Sequence, residues 1–107
     1  MQPVLDYQFI QSIYDQIADI PTESIISKTL LTAENVKVII FGFAPGQELS
    51  EHTAARAATL QFISGQASLT LGDQHHSAQP GTWVHLSPHL PHSVSAITEV
   101  IMLLVLH

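Results

Sequence analysis

In the stretch Gly46-Gln-Glu-Leu-Ser-Glu-His52, a histidine lies six residues after a glycine. Another glycine, Gly65, lies thirteen residues after this histidine. A second stretch, Gly81-Thr-Trp-Val-His-Leu-Ser-Pro-His-Leu-Pro-His92, also opens on a glycine and closes on a Pro-His pair. Glycine adopts positive φ angles that other residues avoid. We therefore expect Gly65 and Gly81 to lie in turns. All seven histidines lie between His52 and the last residue, His107, and we expect the functional site in this part of the chain.

Around these two stretches the chain is divided into short runs of β-forming residues separated by turn signals. The predicted strands are 24–32, 36–44, 57–63, 67–71, 82–86 and 100–106. Gly72-Asp73 predicts a hairpin turn. Side chains alternate between the two faces of a strand, so Ala58, Leu60 and Phe62 are expected to share the face that points inward.

The chain before Pro21 has a different pattern. Its apolar residues recur at three- and four-residue spacing, which is typical of an amphipathic helix, and we predict one from Asp6 to Ala18. We expect a single domain, with a helical segment at about 1–22 and a β-barrel at about 23–107.

Composition narrows the possible partners. The chain has 107 residues, 46% of them hydrophobic, and a formal charge of −6, so nucleic acid and anionic membrane surfaces are disfavoured. The absence of cysteine excludes disulfides and thiolate ligands. No leader and no apolar run of about 20 residues is visible. A cytoplasmic location is therefore expected.

The two glycine–histidine stretches resemble the two sequence motifs of the cupins, and the resemblance covers nearly the whole chain. It is closest to small single-domain bacterial cupins of the conserved-barrel, RmlC-like type. The resemblance implies an all-β fold, the cupin double-stranded β-helix or jelly-roll barrel, here preceded by a short N-terminal helix. It also implies that His52 and His92 converge in one cavity.

The same resemblance assigns the four metal-binding positions of the family to His52, Ala54, Ala58 and His92. Only two of these four carry a ligand side chain. A catalytic metal ion normally has three protein ligands, so His85 and His89 are the possible substitutes. With one of them, the site would hold a divalent transition metal such as Zn, Ni, Mn or Fe.

The sequence therefore predicts a ligand pocket lined by His52, Arg56, Leu60, Phe62 and His92. Arg56 is either a partner for a ligand carboxylate or a surface residue paired with Glu48 or Glu51. A mostly apolar pocket with His52 and His92 at its polar end, with or without Arg56, suits a small organic acid or a similar molecule. Trp83 is either a pocket residue or an interface residue.

Three functions are compatible with the sequence. The first is a cupin that binds a small organic ligand, which we prefer because the metal set is incomplete. The second is a metal-dependent isomerase or oxygenase with a non-standard histidine site, and the third is a structural dimer with a vestigial pocket. We expect a homodimer in each case, because the strands around Ile40 and Leu104 are apolar on both faces.

Overall fold

The computed structural model describes residues 7–107. Within this range the chain forms one short 3-10 helix, Ile13–Gln16, followed by nine strands. In chain order the strands are β1 (Ile25–Thr32), β2 (Lys37–Phe43), β3 (Glu48–His52), β4 (Ala58–Ser64), β5 (Ala67–Leu71), β6 (Gln74–Ala78), β7 (Trp83–Leu86), β8 (His92–Ala96) and β9 (Val100–Leu106). No helix among these residues is long and apolar enough to cross a membrane.

The strands form two antiparallel sheets, a five-stranded sheet in the order β1-β2-β9-β4-β7 and a four-stranded sheet in the order β3-β8-β5-β6. The inner faces of the two sheets share one apolar core, to which both contribute fully buried side chains: Phe43, Leu60, Phe62, Leu69, Val94, Val100 and Met102. The predicted all-β jelly-roll fold is confirmed.

All six predicted strands are present, each within one residue of its predicted ends. Gly72 and Asp73 form the turn between β5 and β6, as predicted. Three further strands were not predicted: β3, β6 and β8. Their sequences are rich in serine, histidine and glutamate or glutamine. Because β3 and β6 are the edges of the smaller sheet and lie largely exposed, they need few apolar residues, so no apolar pattern marks them.

The predicted helix from Asp6 to Ala18 is wrong for most of its length. Asp6 lies outside the described residues, and from Tyr7 onward only Ile13–Gln16 is helical, as a single 3-10 turn. The segment instead packs on the outer face of the five-stranded sheet, where Ile17 is buried against Ile40 and Ile101. Short isolated helices are marginal in water, so contact with the sheet decides the conformation here.

Gly42 on β2 makes this close contact possible. A Cβ atom at this position would lie 2.6 Å from Cδ1 of Ile20 and 3.0 Å from Cγ1 of Ile17, and such distances require a shift of the neighbours. The glycine thus lets the N-terminal segment lie directly against the strand.

This packing changes the argument for a homodimer. Ile40 is completely buried by residues of its own chain, and Leu104 faces the space between the two sheets. Neither residue therefore requires a partner subunit to cover it. The homodimer stays a prediction, and its interface would have to be formed by side chains that are exposed on the outer face.

Both predicted turn glycines have positive φ angles, 85° for Gly65 and 97° for Gly81. The surroundings of the two differ. A Cβ atom at Gly65 would collide with the carbonyl oxygen of Glu99, whereas nothing lies within 4 Å of one at Gly81. At position 65 both the positive φ angle and the lack of room for a side chain favour glycine. At position 81 only the positive φ angle does.

Candidate functional site

Strand pairing brings His52 and His92 together, although they are forty residues apart in sequence. β3 runs antiparallel to β8, and His52 lies directly opposite His92 in the register. A β-bulge between Leu49 and His52 shifts the register just before this pair. The two imidazole rings approach to 4.1 Å between centroids, with their planes inclined at 59°.

A backbone carbonyl orients each of the two rings. Nδ1 of His52 lies 2.8 Å from the carbonyl oxygen of Ser50, and Nδ1 of His92 lies 2.9 Å from that of Leu90. Because a carbonyl oxygen only accepts, Nδ1 is the donor in both contacts. In a neutral imidazole the lone pair then belongs to Nε2. The pair therefore presents two hydrogen-bond acceptors.

Next to the pair lies a cavity of about 160 Å³. Apart from the two histidines, the described residues that line it are all apolar: Phe41, Leu49, Leu60, Val94, Met102 and Leu104. His92 is buried, with 7% of its surface exposed, whereas His52 is exposed at the surface of the barrel. The cavity thus has an apolar wall with two polar side chains in it, and one of these, His52, extends to the exposed surface.

The other predicted pocket residues are placed differently. Leu60 lines the cavity. Phe62 points inward on the same face of β4, but it is completely buried in the core and does not contribute to the cavity wall. Arg56 is exposed and outside the cavity, where its Nη2 donates to the carbonyl oxygen of Leu106 over 3.3 Å. No cationic side chain lines the cavity.

Neither proposed substitute ligand reaches the site. His85 lies between the buried residues Val84 and Leu86 on β7, so alternation turns its ring to the outer face of the sheet. His89 is exposed in the turn before β8, with φ at 68°, and its backbone N–H donates to the carbonyl oxygen of Ala54 over 2.7 Å.

The donor set therefore does not fit the three-ligand metal site that is usual for a catalytic metal. No group of three His, Cys, Asp or Glu side chains with suitable spacing occurs between residues 7 and 107. Ala54 and Ala58 supply only methyl groups at the two remaining family positions. The structure offers two imidazole nitrogens and no third protein ligand in the described part of the chain.

Most of the cavity wall was not identified from the sequence. The missed residues are Phe41, Leu49, Val94, Met102 and Leu104. On β2 and β9 apolar residues occupy both faces, so parity alone does not tell which ones face inward. Val94 had an available signal, because His92, Val94 and Ala96 alternate with serines along β8, and these three are the buried residues of the strand.

No protein-family model matches the sequence, nor does any curated protein. Solved structures do match. A cupin superfamily protein from Desulfitobacterium hafniense is 20% identical, with a TM-score of 0.83 over 94% of this chain and 92% of that one. An RmlC-like cupin from Shewanella frigidimarina is 15% identical, with a TM-score of 0.78 over 99% and 93% of the respective chains. The chain therefore has the fold of the small single-domain cupins.

The same fold occurs in enzymes. A salicylate 1,2-dioxygenase from Pseudoaminobacter salicylatoxidans is 10% identical, with a TM-score of 0.75 over 88% of this chain and 28% of that one. Identities this low establish the fold alone. Function has to be argued from the cavity and its two histidines.

Proposed function

We propose that this cupin-fold protein binds one small organic molecule in the cavity between its sheets, with His52 and His92 at the polar end of the ligand. The observation that carries the proposal is the combination of an apolar cavity with an oriented pair of imidazoles in its wall. Small-molecule sites are generally apolar concavities with a few well-placed polar groups.

The size of the cavity limits the ligand. At about 160 Å³, it is close to the roughly 150 Å³ of an apolar protein cavity that takes up benzene. The expected ligand therefore has a compact apolar body of about one six-membered ring. A binding free energy on the order of −5 kcal/mol, well short of the ceiling for a ligand of so few atoms, corresponds to a Kd of about 0.2 mM. Tighter binding requires specific contacts with the two histidines.

The two alternative functions have less support. A metal-dependent isomerase or oxygenase requires a third protein ligand, which the described residues do not provide, so we assign no reaction to the site. A purely structural dimer does not require an open cavity, and the methyl groups of Ala54 and Ala58 do not fill it. Near-stoichiometric transition metal in protein purified without an affinity tag would favour the enzyme.

The proposal is tested by filling the cavity. Leu104→Trp adds volume to the cavity wall, and Val105→Trp adds the same side chain one residue further along β9, on the opposite face of the strand. We expect toluene to give saturable NMR shifts in the native protein and in the Val105 variant, but not in the Leu104 variant. Overpacking costs about 1–3 kcal/mol. The melting temperatures of both variants are therefore measured to check that they fold.

Failure of the native protein to bind benzene, toluene or phenol would refute the proposal. Equal binding of toluene by both tryptophan variants would show that the ligand binds somewhere other than in this cavity.

A further inference from the structure

We propose that the His52–His92 pair acts as a hydrogen-bond acceptor site, which selects ligands with a neutral O–H or N–H donor over carboxylates. This inference rests on the proposed ligand-binding function and specifies the ligand class. It replaces the small organic acid that the sequence suggested, because Arg56, the one cation considered for the pocket, lies outside the cavity.

The first step concerns the direction of the hydrogen bonds. Both Nδ1 atoms donate to carbonyl oxygens two residues earlier in the chain, Ser50 for His52 and Leu90 for His92. Flipping either ring about its Cβ–Cγ bond would put Cδ2 in place of Nδ1 against that carbonyl, and the hydrogen bond would be lost. With Nδ1 committed in this way, Nε2 is the remaining nitrogen of each cavity-lining ring, and in a neutral ring it can only accept a hydrogen bond.

The second step concerns charge. The three basic side chains of the protein are Lys28, Lys37 and Arg56, and none of them lines the cavity. A carboxylate brought to two accepting nitrogens would meet lone pairs instead of donors. Desolvating a carboxylate without a donor or a positive charge is strongly unfavourable. With both rings neutral, the site therefore disfavours carboxylates.

The third step concerns distance. Both rings line the same cavity, with their centroids 4.1 Å apart, so we expect a single hydroxyl or amino group of the ligand to be able to reach either ring. A hydroxyl group has one hydrogen to donate, and an amino group has two. The ligand that fits best is thus an uncharged ring, or a branched apolar body of similar size, with one hydroxyl or amino group.

The experiment compares phenol with toluene, which have nearly the same size and differ in the donor. The affinity ratio is measured by NMR titration in the native protein, in His52→Phe/His92→Phe, and in the matched control His85→Phe/His89→Phe. Leaving a buried donor without an acceptor costs severalfold to a hundredfold in affinity. We expect the phenol-to-toluene affinity ratio to fall at least about tenfold in the first variant and to stay constant in the control.

A second measurement does not depend on the variants folding. In native protein with ¹⁵N-labelled histidine, phenol should shift the Nε2 resonances of His52 and His92 upfield, whereas toluene should not. Benzoate at pH 8 should bind at least about tenfold more weakly than phenol, because its carboxylate has no donor.

The outcomes separate the inference from the proposed function. If toluene binds and the affinity ratio is the same in both double variants, the acceptor site is refuted, while the ligand cavity remains. Benzoate binding more tightly than phenol at pH 8 would also refute the acceptor site. If none of the three compounds binds to the native protein, both proposals fail.

Discussion

The space between the two sheets and the outer face of the five-stranded sheet are both apolar, yet they are completed in different ways. Between the sheets, the core leaves a cavity of about 160 Å³. On the outer face, the N-terminal segment places Ile17 and Ile20 directly over Gly42. The outer face is thus covered by the chain itself, whereas the interior retains room for another molecule.

Each region also contains a pair of histidines, and the difference between the pairs shows what makes a site. The inner pair, His52 and His92, is oriented by backbone carbonyls beside an apolar cavity. The outer pair, His85 and His107, has its ring centroids 5.7 Å apart, and Nε2 of His107 contacts the hydroxyl of Thr59 over 3.0 Å. Proximity is common to both pairs, but only the inner pair adjoins an apolar cavity.

The largest effect is expected from Ile40→Ala, which tests whether the N-terminal segment really covers the outer face. Ile40 is completely buried there, so its truncation should lower the free energy of unfolding by about 2–5 kcal/mol, the usual cost of truncating a buried isoleucine. Leu31→Ala, at an exposed position of β1, should cost less than about 1 kcal/mol. Denaturant unfolding measures both values.

A double-mutant cycle between Ile17 and Ile40 tests the same contact more directly. If Ile17 packs against Ile40, the cost of Ile17→Ala should be smaller when Ile40 is already alanine, by about 0.5–3 kcal/mol. A small cost for Ile40→Ala, similar to that of Leu31→Ala, would contradict the observed covering of the sheet.

The next prediction concerns metal binding at the two histidine pairs. Each pair offers two imidazoles, and the described residues contain no group of three candidate ligands. We therefore expect Zn²⁺ to bind the native protein weakly and without a large rise in melting temperature, since ligand stabilisation grows only as the logarithm of concentration over Kd. Calorimetric titration measures the affinity.

Two variants show which pair is responsible for any zinc that binds. His92→Phe removes one nitrogen of the inner pair, and His85→Phe removes one of the outer pair. Tight binding at one ion per chain, abolished by His92→Phe and kept in His85→Phe, would mean that the inner pair finds a third ligand in solution. It would then favour the metal-dependent alternative.

Sequence reasoning was most successful where the pattern is local. The strand boundaries followed from apolar runs and turn residues, and the facing positions Ala58, Leu60 and Phe62 followed from alternation. The placement of His52 opposite His92 came from the resemblance to cupins, because pairing between β3 and β8 leaves no local signal in either strand. The resemblance did not extend to Arg56, His85 and His89, whose directions depend on the turns and strands of this particular chain.

The helix prediction for the N-terminal segment was wrong for a different reason. Its apolar spacing is compatible with a helix, but the same isoleucines are used to cover a sheet in a nearly irregular conformation. What decides between the two is the space above Gly42. That space is created by a residue more than twenty positions away and cannot be detected within the segment itself.

The smallest effect on stability is expected at Trp83, an exposed side chain on the outer face of β7. Trp83 is 60% exposed, and its ring lies beside that of His85, with 6.4 Å between centroids. Since Ile40 needs no partner, a homodimer now depends on exposed residues such as this one. Tryptophan is enriched at protein interfaces, where it is often an energetic hot spot. We expect Trp83→Ser to shift a dimer towards monomer, while the unfolding free energy of the monomer changes by only about 0.5 kcal/mol.

Ile97→Ser is the matched control, because Ile97 is 61% exposed but lies in the loop between β8 and β9. Trp83 is the single tryptophan of the chain, so its fluorescence should move to longer wavelength as the native protein is diluted and the interface opens. Light scattering at micromolar concentrations should show a dimer for the native protein and the Ile97 variant. A native protein that is monomeric by light scattering, with tryptophan emission independent of concentration, would show that the outer face is complete once the N-terminal segment covers it.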